Sequence, residues 1–127
     1  MTWRFVFDPS QSGLRKVLKE HEELALRYFW DEGAEDVVSK QVWTYVSGKL
    51  GEGRAISRAT IIQLMKVMDE LGILESREAS GKGGRYTRYT AKMDEKEFQR
   101  YIARTIINSL MRDFPQITTK VLKELLS

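Results

Sequence analysis

The chain has 127 residues, 21 basic against 18 acidic for a formal net charge of +3, with no cysteine and a single histidine. That length suits one domain with a buried core. The missing cysteines remove disulfides, thiolate metal sites and thiol chemistry, and the lone His21 removes a multi-histidine metal site. No apolar run approaches a signal peptide or a membrane span, so the expectation is a cytoplasmic protein with no membrane partner, metal or cofactor.

Taken in order, "MTWRFVFDP" alternates weakly and is expected to form a short strand or an arm, closed off by Pro9 and Gly13. From Glu20 to Glu32, Leu24, Ala25, Tyr28 and Phe29 recur at helical spacing, and Gly33 is placed to stop a first helix. "VSKQVWTYVSGKLG" predicts a second helix, with Ser39 as its N-cap, Val38 and Trp43 as a hydrophobic staple and Gly51 as terminator. "ISRATIIQLMKVMDELG" predicts a third, capped by Ser57, stapled by Ile56 and Ile61, and closed by Gly72.

"ILESRE" and "RYTRYTA" are rich in aromatic and branched residues and flank a connection read as Ala79 to Gly84, which predicts a two-stranded hairpin. A long helix then starts behind Asp94, with Glu97 three residues on and Met93 and Phe98 as staple, and Pro115 halts it. A last short helix is expected over roughly Thr119 to Leu126. Three parts follow: an arm or short strand at 1–17, a winged-helix DNA-binding domain at 18–92 and a C-terminal helical dimerisation segment at 93–127. Three helices followed by a hairpin is the order of a winged helix-turn-helix. The expected fold class is therefore mainly α with a small β-hairpin (α+β), a winged helix-turn-helix followed by C-terminal dimerisation helices.

Charge is unevenly spread along this frame. Asp69 to Glu78 is acidic, whereas Arg54 to Met68 and Ala79 to Met93 contain no acid at all. The glycine-rich "SGKGGRYTRY" invites a nucleotide-binding reading, but a Walker A loop would need glycine at Ser76 and a hydroxyl residue at Gly83. A dinucleotide fingerprint would need glycine at Tyr86 and a helix to follow. What remains is a solvated turn or, directly behind a third helix, a wing whose tip reaches the DNA backbone. Lys82 at the tip, and Arg85 and Arg88 on the return strand, would neutralise phosphates and release counterions.

Advancing 100° per residue from Ile61 places Leu64, Met65, Met68 and Leu71 on the buried side of the third helix. Opposite lie Ala59, Ile62, Gln63 and Lys66, flanked by Arg58 and Thr60. Gln63 suits a bidentate pair with adenine, Ala59 and Ile62 suit a thymine methyl, and Arg58 and Lys66 suit phosphate or guanine. The alternative for Ile62 is packing against the first helix or the wing. Ser39 and Lys40 at the start of the second helix, with Arg54, are the expected further phosphate contacts; an ordinary cap and solvated cations are the alternative.

With those residues assigned, the segment resembles the winged-helix repressors of the penicillinase-repressor type. Thr60, Ile61, Leu64, Met68, Gly72, Ile73 and Leu74 match their third helix and its exit, Trp30 their first helix, and Tyr86, Tyr89, Asp94 and Glu95 their wing and next helix. The resemblance covers about Leu18 to Phe114 and implies operator binding and transcriptional control, with a C-terminal helix for dimerisation. Residues 1–17 have no counterpart, Val67 stands where a basic residue is common, and the cysteine-rich tails with which some relatives sense metal are absent.

Phe98, Tyr101, Ile102, Thr105, Ile106 and Leu110 form an apolar-centred stripe on the long helix, expected to face a second copy in a homodimer, with Val121, Leu122 and Leu125 adding to the seam. Packing on the same chain's first helix is the alternative. Catalysis is not expected. Glu22 and Glu23, and Asp94, Glu95 and Glu97, sit where helix starts favour acids, and no nucleophile has a base partner. The resulting expectation is a homodimeric regulator of double-stranded DNA, a repressor. A winged helix used for protein contacts and an RNA-binding winged helix are the alternatives.

Overall fold

A computed structural model describes residues 5–127; the part of the expected strand or arm at residues 1–4 lies outside them. The chain divides into two units, Met1–Asp94 and Glu95–Ser127. In the first unit, residues 5–7 form no strand. A single 3-10 turn, Gly13–Lys16, leads into the helices, and Phe5, Leu14, Val17 and Leu18 are buried.

Helix α1 spans Glu20–Trp30, ending two residues before the expected Glu32. Its start is tied by Glu22, whose carboxylate accepts the Lys19 backbone N–H at 2.7 Å. Ala25, Leu26 and Phe29 carry its buried face. Helix α2 spans Ser39–Leu50, so Ser39 is its first helical residue and not its cap. Val38 holds the cap position, because the Gln41 side chain accepts the Val38 N–H at 2.9 Å and satisfies the helix start from the other direction.

Helix α3 spans Arg58–Glu70. The Ser57 hydroxyl accepts the Thr60 N–H at 3.1 Å as the sequence suggests, and the Trp43 indole donates to the Ile56 carbonyl at 2.8 Å. Together they set the residue at which α3 begins. Ile61, Leu64, Met65 and Met68 are buried beneath it. Ser57→Ala should cost about 1 kcal/mol of stability, read from the urea midpoint at constant slope.

Strands β1, Leu74–Gly81, and β2, Gly84–Ala91, pair antiparallel. The connection is shorter than the sequence suggests, because Ala79 pairs with Tyr86 and Ser80 with Arg85, leaving only Lys82 and Gly83 unpaired at the tip. Two glycines make that close turn possible. Gly84 has φ +99°, and a Cβ on Gly81 would lie 3.1 Å from the Tyr86 ring. A third short strand element is added by Val37, between α1 and α2, which exchanges backbone hydrogen bonds with Tyr89 at 2.9 and 2.7 Å. The result is a winged-helix α+β fold.

The second unit comprises α4, Glu95–Asp113, and α5, Pro115–Leu126. The last helix therefore begins at the proline itself, ahead of the expected Thr119. Proline is a stop for α4 and a good first residue for α5, since no intrahelical N–H is required there. Phe114, at φ −133° and ψ 60°, is the break between them, and its N–H still donates to the Leu110 carbonyl at 2.7 Å. Among the described residues, no helix is long and apolar enough to cross a membrane.

Candidate nucleic-acid interface

Helix α3 buries one side and leaves the other as a ridge. Arg58, Ala59, Thr60, Gln63 and Lys66 are exposed, and Ile62 keeps 36% of its surface in solvent. Grooves run along both flanks of this ridge. One joins Arg58, Ile62 and Lys66 to Val38, Ser39 and Lys40 at the start of α2, and to Tyr86, Thr87, Arg88 and Tyr89 on β2. The other sets Ala59, Thr60, Gln63 and Val67 against Phe5, Lys19, His21 and Glu22. The expected reading residues thus share one helix but divide between two flanks.

The wing residues part company in a similar way. Lys82 is exposed at the turn, clear of the sheet. Arg85 and Arg88 are three apart on one strand, and the period of two sends their side chains to opposite faces. Arg85 is exposed, with its guanidinium 3.5 Å from the Glu78 carboxylate. Arg88 is half-buried; it lies 5.1 Å over the Tyr86 ring and donates to the Asp36 carbonyl at 2.7 Å. It therefore lines the groove as an ordered cation, whereas Arg85 is a solvated one on the outer face.

Ser39 and Lys40 open onto the same groove as Arg58 and Lys66, at the first turn of α2, where the helix dipole favours an anion. Arg54 is engaged differently. It pairs with Glu20, which also accepts from Arg15 at 3.1 Å, and the hydrogen bond from Arg54 holds the Glu20 carboxyl below its ordinary range. Any phosphate contact by Arg54 competes with that pair.

Tyr86 of the wing lines the groove, and behind the groove-lining Arg88 stands a pair that no sequence pattern marks, Asp36 and Arg77. Asp36 is the one non-glycine among the described residues with positive φ, at 54°, a conformation that Asp tolerates better than most. Its carboxylate takes a two-pronged contact from Arg77, at 2.7 and 2.5 Å, and that hydrogen bonding is the main reason its pKa lies below the usual range. An acid-to-arginine pair separated by the whole of α2 and α3 leaves no local signal in the sequence.

The carboxylates weighed for catalysis have structural partners in the first unit. Glu22 ties the start of α1, and Glu23 bonds to Arg15 and Arg27, each at 3.2 Å. His21 is half-buried, and burial lowers its pKa. Among the described residues, no three His, Cys, Asp or Glu side chains cluster as a metal site.

In the second unit the expected partner-facing stripe is only partly a surface. Phe98 is fully buried within the single chain and is not available to a partner. Tyr101, Ile102, Thr105 and Ile106 are half-buried, and Leu110 is exposed. Further on, Val121 and Leu125, expected in the seam, are exposed, and Phe114, Ile117 and Leu126, which the apolar period of α4 does not reach, are exposed with them.

The penicillinase repressor family matches residues 18–127. No curated protein matches the chain. Among solved structures, one described as a transcriptional regulator of Thermoplasma acidophilum shares 21% identity over 72% of this chain and 93% of its own, with a TM-score of 0.49. A second transcriptional regulator shares 17% identity over 86% of this chain and 74% of its own, with a TM-score of 0.41. The family match takes in both units and leaves out only the first 17 residues, and by it the chain belongs to the penicillinase repressor family.

Proposed function

We propose that this protein is a transcriptional regulator that binds double-stranded DNA as a homodimer and represses the genes beside its operator. One observation carries the DNA-binding reading: a single groove joins the start of α2, the outer ridge of α3 and strand β2, and collects Lys40, Arg58, Lys66 and Arg88. Cations on three separate elements converge there, as phosphates on either side of a major groove require. The ridge itself presents Ala59, Thr60, Ile62 and Gln63, small, apolar and amide groups suited to base edges. Glutamates and lysines would be the usual choice for a helix face that meets only water.

The dimer rests on the second unit. Helix α5 buries no residue, and Ile117, Val121 and Leu125 form a row along it with 66, 43 and 76% of their surface exposed, next to Phe114 at its N-cap. Such a row is what a twofold partner covers. Sedimentation equilibrium should then give twice the 14.8 kDa chain mass.

Selection of genomic fragments on the purified protein, followed by titration at several salt concentrations, tests the DNA reading. Lys82→Ala should weaken binding to every sequence alike and reduce the salt slope by about one, whereas Gln63→Ala should change the preferred base at one position. Equal affinity for all fragments with an indifferent Lys82 would instead favour a protein-binding role. Tighter binding to structured RNA than to duplex would favour the RNA-binding one.

A further inference from the structure

We infer that Asp36 is a positioning residue for DNA binding, an acid that raises affinity by holding the wing in place; this rests on the DNA-binding reading above. Three residues on one face of the ribbon converge on Asp36. Arg77 of β1 grips its carboxylate through two nitrogens, Arg88 of β2 donates to its carbonyl at 2.7 Å, and its own N–H donates to the Thr90 hydroxyl at 3.0 Å. Arg77 and Arg88 are directly opposite each other in the register, so they share that face and would otherwise set two like charges side by side. The Asp36 carboxylate offsets that repulsion. Its neighbour Val37 then pairs with Tyr89, so one short segment fastens both the ribbon's face and its edge to the body that carries α3.

The consequence runs against simple charge counting. Asp36 bonds directly to Arg88, which lines the cationic groove. As a bare negative charge near phosphate, it would oppose DNA, and its removal would tighten binding. As a fastener, its carboxylate ties β1 to the body through Arg77 and offsets the charge that Arg77 sets beside Arg88, which holds the tip with Lys82 at a set distance from the α3 ridge; the backbone bonds to Arg88 and Thr90 survive its removal, but the loss of the Arg77 tie weakens binding. The two accounts predict opposite signs.

The experiment compares wild type, Asp36→Gly and Asp36→Asn by fluorescence anisotropy on a fragment selected by the wild-type protein, with circular dichroism on each variant. Glycine accepts the positive φ but has no acceptor for Arg77. Asparagine keeps one oxygen for Arg77 and tolerates the same backbone. The expected result is an affinity loss of about fivefold for Asp36→Gly, the upper end for one exposed ion pair and the equivalent of one phosphate contact, and about twofold or less for Asp36→Asn. The salt slope of Asp36→Gly should also be shallower by about one, since a loosened wing surrenders phosphate contacts. A purely structural defect would lower the competent fraction and leave that slope unchanged. Equal or tighter binding by both variants, or an Asp36→Gly slope matching wild type, overturns the inference. Absence of DNA binding by the wild-type protein would instead overturn the functional reading on which it stands.

Discussion

Replacing Arg58 and Lys66 together with alanine should lower affinity for duplex DNA by about thirtyfold at 0.15 M salt and flatten the salt slope by about two. Each phosphate that is no longer neutralised reduces the slope of log affinity against log salt by about 0.9, which at 0.15 M corresponds to about 0.7 log units in affinity. Two such phosphates therefore account for about thirtyfold, and any guanine reading by either residue would add to it. Both side chains are exposed on α3 and face the groove shared with Lys40 and Arg88. Their removal should leave stability within about 0.5 kcal/mol, because neither fills the core. Arg58 also occupies the first turn of α3, where a cation opposes the helix dipole, so its removal does not weaken the helix. Anisotropy titrations at four salt concentrations supply the measurement. An unchanged slope would show that this groove does not meet the backbone.

Adjacent isoleucines on α3 should behave as if they belonged to different proteins. Ile61 is fully buried, and Ile61→Ala should cost about 2–5 kcal/mol, seen as a lower urea midpoint at constant slope. The variant that remains folded should keep its DNA preference. Ile62 lies one residue on, about 100° further round the helix, and is 36% exposed on the groove side. Ile62→Ala should leave stability within about 0.5 kcal/mol but reduce discrimination for thymine at one base position, since the apolar side chain that would meet the methyl group is gone. Urea unfolding separates the first effect, and binding to a panel of single-base variants separates the second. A core-sized stability loss on Ile62→Ala would mean that the ridge is packed and reads nothing.

This pair also illustrates which features are legible along the chain. The buried side of α3 follows from a period near 3.6 residues, and Ile61, Leu64, Met65 and Met68 fall on it in the structure as in the sequence. Ser57 caps where a serine before an apolar run should, because its hydroxyl reaches a helix N–H only a few residues away. The order of three helices and a hairpin is legible for the same reason. Each element is specified by residues within one or two turns of each other.

Where neighbours compete for one role, local pattern is ambiguous. Ser39 is the obvious cap for α2, yet Gln41 reaches back to Val38 and moves the start by one residue. Pro115 ends α4 and also begins α5, so the final helix is four residues longer at its start than its apolar run suggests. The glycines of the wing suggest a long loop, whereas strand pairing continues to Gly81 and Gly84.

By itself the sequence determined the succession of elements, the buried face of the helix proposed to read DNA and the exclusion of cysteine chemistry, because periodicity, capping and composition act over a few residues of chain. Only the tertiary structure decided that Arg88 and not Arg85 lines the groove, that Arg54 is held by Glu20, that Phe98 is buried within its own chain, and that Asp36 gathers Arg77, Arg88 and Thr90. Those outcomes depend on which distant side chains meet once the elements pack, and partners 34 to 54 residues apart leave no mark on local spacing.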